Sequence, residues 1–402
     1  MEEKYIDLLL KKCLNLEFSK CLFINYDVVN KDFVNKLIIR AKELGVEEIY
    51  LDENDIYKEH NILSNIELVD IENHPYFDRS IWNEYANKNS NFLSFRSPNL
   101  GVMDDIDPKK LACAEYTKRK TCSVYINKIL SYQIPWCIAA LPNQNWANKI
   151  FGNNENSLKL LENTLYNICM VNTDDPIASW NNHLENNKII IDELNTLKLK
   201  MLHYKNNLGT DLTVELLDDG IWCDASINGL VNMPSYEIFT TPDYRKTNGI
   251  VYGSRPLIYN GGLIDNFWIK FENGKAIDCG AEQGETILRN IINSDNNSCY
   301  LGECALVENN SPISNTGLVF GLTLIDENAS CHLALGEGFL ECSQNNENLS
   351  DKEILEKGIN LSKVHVDFMI GTSDLEIEAE TYDGKKVKIL EKGNFKKNIR
   401  TF

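Results

Sequence analysis

Along the first fifty residues the spacing of apolar positions changes in a way that predicts local structure. Between residues 5 and 15 they recur at helical intervals. Residues 20–26 (Lys-Cys-Leu-Phe-Ile-Asn-Tyr) form a short run suited to a buried strand, and residues 31–44 return to an amphipathic helical pattern with Gly45 placed as its C-terminal cap. A second strand over Glu48-Ile49-Tyr50-Leu51-Asp52 completes a β-α-β unit, the building block of a parallel sheet with right-handed crossovers. The pattern predicts an N-terminal α/β domain with a parallel sheet over residues 1–105. The turn after the first strand, Asp27-Val28-Val29-Asn30-Lys31, holds no glycine that would let the backbone approach a pyrophosphate, so a structural role outweighs dinucleotide binding there.

From residue 106 the pattern changes, and residues 106–402 read as a second domain. A helix begins at the Asp107-Pro108 turn, an apolar strand covers 134–141, and helical stretches cover 157–171 and 177–204. Leu158, Leu161, Leu165 and Ile168 share one helical face, as do Trp180, Leu184, Ile191 and Leu194; these are core stripes. Beyond 205, short apolar segments alternate with turns such as Tyr259-Asn260-Gly261-Gly262 and Glu272-Asn273-Gly274. That predicts an α+β C-terminal domain built on a mixed or antiparallel sheet.

Composition narrows the function. The 402 residues are 43% apolar and 25% charged, ordinary for a soluble two-domain protein, and 40 basic against 59 acidic residues leave a formal charge of −19. Such a balance repels nucleic-acid phosphates and anionic membranes. The twelve cysteines are scattered, with Cys299 and Cys304 the closest pair, so neither a Cys-x-x-Cys zinc knuckle nor a secreted disulfide scaffold is indicated. The start, Met-Glu-Glu-Lys-Tyr, lacks a basic region followed by an apolar stretch, and no run approaches the ~18 apolar residues of a membrane span. A cytoplasmic location is expected.

Two segments near the C-terminus carry the candidate chemistry: Asp326-Glu327-Asn328-Ala329-Ser330-Cys331-His332, and Val364-His365-Val366-Asp367. If the second is a strand, His365 and Asp367 share one face, and Val364, Val366 and Phe368 share the other. Glu237 and Glu303 sit between apolar or turn-forming neighbours, where a lone charge is costly to bury unless paired or metal-bound. Of the six histidines, His60 and His74 read as loop residues of the first domain and His183 and His203 as solvated helix positions; His332 and His365 alone keep company with carboxylates in apolar segments. Glu237, Glu303, Glu327 and Asp367 supply four negative charges, which balance two divalent cations. Mixed carboxylate and imidazole ligation suits zinc, cobalt or manganese better than calcium or magnesium. A pair of such ions activates water and polarises a carbonyl. There is no His-Glu-x-x-His motif, so a helix-borne single-zinc site is not indicated.

The order Asn232-Met233-Pro234 to Glu237-Ile238-Phe239-Thr240-Thr241-Pro242, then Leu301-Gly302-Glu303 with Ser311-Pro312-Ile313, then Asp326-Glu327-Asn328-Ala329 to His332-Leu333-Ala334-Leu335-Gly336, then His365-Val366-Asp367, closely resembles the aminopeptidase T/aminopeptidase S family of bacterial dinuclear metallopeptidases. Asn145-Trp146-Ala147 and Gly209-Thr210-Asp211-Leu212 extend the likeness upstream. The resemblance implies a cytoplasmic homodimer that releases N-terminal residues from peptides, using two zinc, cobalt or manganese ions per subunit. It also implies that the N-terminal α/β domain helps wall a cavity around the metals. By motif the metal ligands would be Glu237, Glu303, Glu327, His332, His365 and Asp367. Glu303 would be a bridging or water-orienting carboxylate, and Glu327 either a ligand or the general base; a turn partnership with Asn328 is the structural alternative for Glu327. The family usually has a tyrosine seven residues after the motif histidine, and here that position is Phe339.

Three other readings stand beside this one. A dinuclear hydrolase of other amide or phosphate substrates would use the same ions, although the negative charge disfavours phosphorylated ones. A metal-binding homologue with impaired catalysis draws support from Phe339. Structural salt bridges come last, because no Lys or Arg recurs beside the carboxylates.

Overall fold

A computed structural model describes residues 1–259, 261–347 and 349–396. They divide into two compact units, residues 1–181 with 225–235, and residues 182–224 with 236 onward. The boundary expected near residue 105 falls inside the first unit. The parallel sheet does not stop there: the strand Trp136–Ala140 pairs with Asn91–Arg96, and the short strand Asn232–Met233 pairs with Trp136–Ala140.

The first unit is the predicted α/β layer. Its five strands run parallel in the spatial order Glu48–Asn54, Cys21–Asp27, Asn91–Arg96, Trp136–Ala140, Asn232–Met233. Leu22 to Tyr26 are all buried, as expected of a central parallel strand covered on both faces. The helix Lys31–Glu43 turns Val34, Leu37 and Ala41 inward, and Gly45 follows it in the left-handed conformation that favours glycine. Phe23, Tyr85, Phe92 and Tyr125 form an aromatic core on one face of the sheet.

The second unit is antiparallel. A nine-stranded sheet and a four-stranded sheet share one apolar core, which includes Leu202, Tyr204, Phe267 and Ile269 together with Leu333, Leu335, Val366 and Phe368. The hairpin at Glu272-Asn273-Gly274 joins Gly262–Glu272 to Lys275–Gln283, with Asn273 and Gly274 both at positive φ. The other predicted turn joins Leu257–Tyr259 to Gly262–Glu272, and its Asn260 lies outside the described residues.

Three expectations need correction. The helix expected over 177–204 is Pro176–Leu197; Lys198 turns at a φ of 49° and Leu199–Lys205 becomes a strand. That strand pairs with Asp211–Leu216 on one side and Glu376–Thr381 on the other, distant partners that override local helical periodicity. His203 is therefore a strand residue, with Nε2 2.6 Å from Asp211 Oδ1. His60 lies on the helix Ile56–Asn65, not in a loop.

Candidate metal centre

The four-stranded sheet has the order His365–Met369, His332–Gly336, Leu301–Leu306, Ile238–Thr240, antiparallel throughout. Alternation sends Leu333, Leu335, Val366 and Phe368 into the shared core, so His332, Ala334, His365 and Asp367 project from the opposite face. The predicted alternation of Val364–Phe368 is what the sheet shows. Register then completes the arrangement, because Glu303 pairs with Ala334 and Ala334 with Asp367. Two carboxylates two strands apart thus flank a methyl group, and the small side chain between them leaves space for their head groups. In the neighbouring row, Phe239 pairs with Ala305 and Ala305 with His332. Glu237 comes just before the strand that carries Phe239.

A register shift between Leu301 and Glu303 keeps both Leu301 and Cys304 in the core while aiming Glu303 at the other face. Gly302 makes this possible: a Cβ there would stand 2.0 Å from the Glu337 carbonyl oxygen. That carbonyl in turn accepts from His365 Nδ1 at 2.8 Å. With Nδ1 so engaged, His365 Nε2 faces Glu303 Oε2 at 3.1 Å and Asp367 Oδ1 at 3.2 Å. His332 is oriented the same way, Nδ1 against the Ser330 carbonyl at 3.3 Å and Nε2 against Glu237 Oε2 at 3.2 Å. A backbone acceptor on one imidazole nitrogen, freeing the other for a cation, is the usual support of a ligating histidine.

One donor atom each from Glu237, Glu303 and His332 lie within 4.8 Å of one another, and so do those of Glu303, His365 and Asp367. Glu303 belongs to both groups. Glu327 is in neither, yet it is buried and feels the charges of Asp367, Glu237 and Glu303. It lies at the end of a short helical turn stabilised by Asp326, whose buried carboxylate accepts from Phe320, Gly321 and Leu322 N–H at 2.8, 2.7 and 3.1 Å.

Protonation follows from crowding. Burial, together with the charge of Asp367, pushes Glu303 up to about 7 despite its bond to His365. Burial and the charges of Asp367 and Glu237 drive Glu327 well above the carboxylate range. Burial opposes charging of His332, but Glu237, Glu303 and Asp367 lift it to about 10. Burial opposes charging of His365 as well, and Asp367 and Glu303 raise it regardless. Asp367 ends at about 2, held there against burial by His365 and His332. Among the described residues, no Lys or Arg bridges Glu237, Glu303, Glu327 or Asp367. Four buried carboxylates facing two imidazoles are a donor set that fits divalent cations.

Two further sequence candidates border these residues without belonging to the donor groups. His183, on the helix Pro176–Leu197, packs edge-on against Tyr236 at 5.1 Å. Phe339 packs on His365 and on Phe239, with ring centroids 4.8 and 5.3 Å apart. The supporting Ser330 and Glu337 carbonyls had no sequence signal, since every residue carries a carbonyl and only the fold selects which one meets an imidazole.

Known proteins share this architecture and sequence. A family model described as thermophilic metalloprotease (M29) matches residues 1–395. Aminopeptidase 2 of Geobacillus stearothermophilus is 34% identical over 401 residues, spanning 98% of this chain and 97% of the relative. Aminopeptidase AmpS of Bacillus subtilis (strain 168) is 33% identical over 401 residues, spanning 97% of each. The solved structure of wild-type AmpT from Thermus thermophilus matches with a TM-score of 0.89 at 27% identity and covers 98% of each chain.

Proposed function

The chain belongs to the thermophilic metalloprotease family (M29) and is a metal-dependent aminopeptidase; from that premise we propose that it releases single residues from peptides with free N-termini, using water activated between two divalent ions. The observation that carries the proposal is the pair of donor groups sharing Glu303. One group would hold an ion through Glu237 and His332, the other through His365 and Asp367, with Glu303 between them. When bound, zinc, cobalt or manganese ions supply an acidified water and polarise the scissile carbonyl.

The protein's own residues would do the rest. Glu303, shared by both groups, orients the attacking water. Glu327 either completes the ligand set or takes the proton from that water and passes it to the leaving amine, a transfer that needs a carboxylate within hydrogen-bond reach. The Ser330 and Glu337 carbonyls hold the imidazoles in the ligating tautomer. The acidic cluster also suits the ammonium group of a free N-terminus, which would explain a preference for unblocked peptides.

A cytoplasmic location belongs to the same proposal, supported by the twelve cysteines, all free of disulfides, which suit a reducing compartment; the homodimer in it rests on the family resemblance alone. Among the described residues no helix is long and apolar enough to cross a membrane.

The decisive experiment is hydrolysis of a short peptide panel by chelator-stripped protein, followed by readdition of zinc, cobalt or manganese. Activity should vanish on stripping, return with one of these ions, and be absent on N-terminally blocked peptides. Turnover of phosphoesters or internal amides, with no cleavage of unblocked peptides, would overturn the reading.

A further inference from the structure

We infer that Asn328 is a positioning residue of the metal centre, coupling through one amide the segment that carries Glu237 to the carboxylate of Glu327. The inference rests on the aminopeptidase reading and adds to it a residue outside the ligand set.

Asn328 is completely buried, so its amide cannot exchange partners with water. Its Oδ1 accepts from the Tyr236 N–H at 2.5 Å. That bond fixes which end of the amide is which. Nδ2 therefore faces the other way and donates to the Leu324 carbonyl at 3.3 Å and to Glu327 Oε1 at 3.4 Å. Among the described residues, this is the hydrogen bond that the Glu327 carboxylate receives, and active-site contacts of this kind are often long before substrate binds. Tyr236 is the residue immediately before Glu237, so a shift of its N–H carries Glu237 with it.

Chemistry explains why an amide should stand here. Glu327 sits among Asp367, Glu237 and Glu303, and a cationic partner would compete with metal ions for the same carboxylates. A neutral donor orients Glu327 without cancelling its charge. An aspartate would keep the acceptor for Tyr236 but confront Glu327 with another negative charge. A leucine of similar size would lose all three bonds and leave the Tyr236 N–H unpaired in the interior.

The test compares wild type, Asn328→Leu and Asn328→Asp. Each is stripped of metal, titrated with manganese by calorimetry, and assayed on an alanine anilide at saturating manganese. Asn328→Leu is expected to weaken manganese binding and lower kcat, each by at least about tenfold, the scale for losing a residue that orients a ligand, with KM little changed. Asn328→Asp should lower kcat by a similar factor while weakening manganese binding less, because its tie to Tyr236 survives. A purely structural role would instead lower the melting temperature and leave manganese affinity and kcat of the folded variants at the wild-type level, and that result would overturn the inference. Should the leucine variant not fold, unchanged kcat in the aspartate variant overturns it equally. Wild-type protein that binds manganese yet cleaves no anilide or peptide would defeat the aminopeptidase reading instead, and the manganese titrations would still decide the role of Asn328.

Discussion

The ring of Phe339 lies against the imidazole of His365, their centroids 4.8 Å apart and their planes inclined by 44°. Phe339 occupies the position where the resembled family usually has a tyrosine, so a hydroxyl added to this ring enters the neighbourhood of a candidate ligand. Phe339→Tyr is expected to raise kcat with little change in KM, by up to the ~10²–10³ attributed to one oxyanion donor. Steady-state kinetics on unblocked peptides measure it. An unchanged kcat would show that the hydroxyl is dispensable here.

Gly302 couples two ligands through backbone sterics. A Cβ at this position would meet the Glu337 carbonyl oxygen at 2.0 Å and the Gly336 carbonyl oxygen at 2.6 Å, and the Glu337 carbonyl is the one that orients His365. Gly302→Ala should destabilise the protein by about 1–3 kcal/mol, the usual scale for forced overpacking. It should also lower metal affinity, because Glu303 and His365 move together. Melting and metal titration of the same preparation check both effects; stability loss without affinity loss would contradict this linkage.

Burial, with the charge of Asp367 added, disfavours an ionised Glu303 more than His365 and His332 favour it, and function and stability therefore oppose each other at this residue. Glu303→Gln keeps the shape and removes a charge. The metal-free variant should melt at a higher temperature than metal-free wild type while binding ions more weakly and losing nearly all turnover. A lower melting temperature for the metal-free variant would contradict the view that the cluster is electrostatically strained.

Metal-free stability should depend on pH in a defined direction. Glu303 and His332 are both raised in the folded state, to about 7 and about 10. Each binds its proton more tightly folded than unfolded, so each contributes most below its unfolded value. Those contributions are lost as pH rises, first through the window from about 4.5 to 7 and then from about 6.5 to 10. Asp367, lowered to about 2, acts oppositely and loses its contribution only in strong acid, as pH falls from about 3.8. Chelator-treated protein should therefore melt at progressively lower temperature from pH 5 to pH 9, and the stabilisation by added manganese should grow over the same range, since cations replace protons. Calorimetric scans across that range check both trends; a metal-free melting temperature that climbs with pH would refute the assignment.

Much of the site was legible in the chain because its signals are local. Alternation along Val364–Phe368 already separated His365 and Asp367 from the apolar face, since the two-residue period of a strand needs no partner. Glu237, Glu303 and His332 stood out because charged or imidazole groups in apolar segments demand a partner wherever they end up. The β-α-β unit of the first fifty residues was legible for the same reason, its strand and helix periods being short and uninterrupted.

What the chain by itself determined was thus which side chains must share a face and which charges must find company. What the tertiary structure alone decided was the company they found: Ala334 between Glu303 and Asp367, the Glu337 carbonyl behind His365, and the Tyr236 N–H on the amide of Asn328. The strand Leu199–Lys205, hidden at the end of a helical pattern, belongs with these. Each depends on register between segments tens of residues apart, and register comes from the packing of whole sheets, which no window of local periodicity contains.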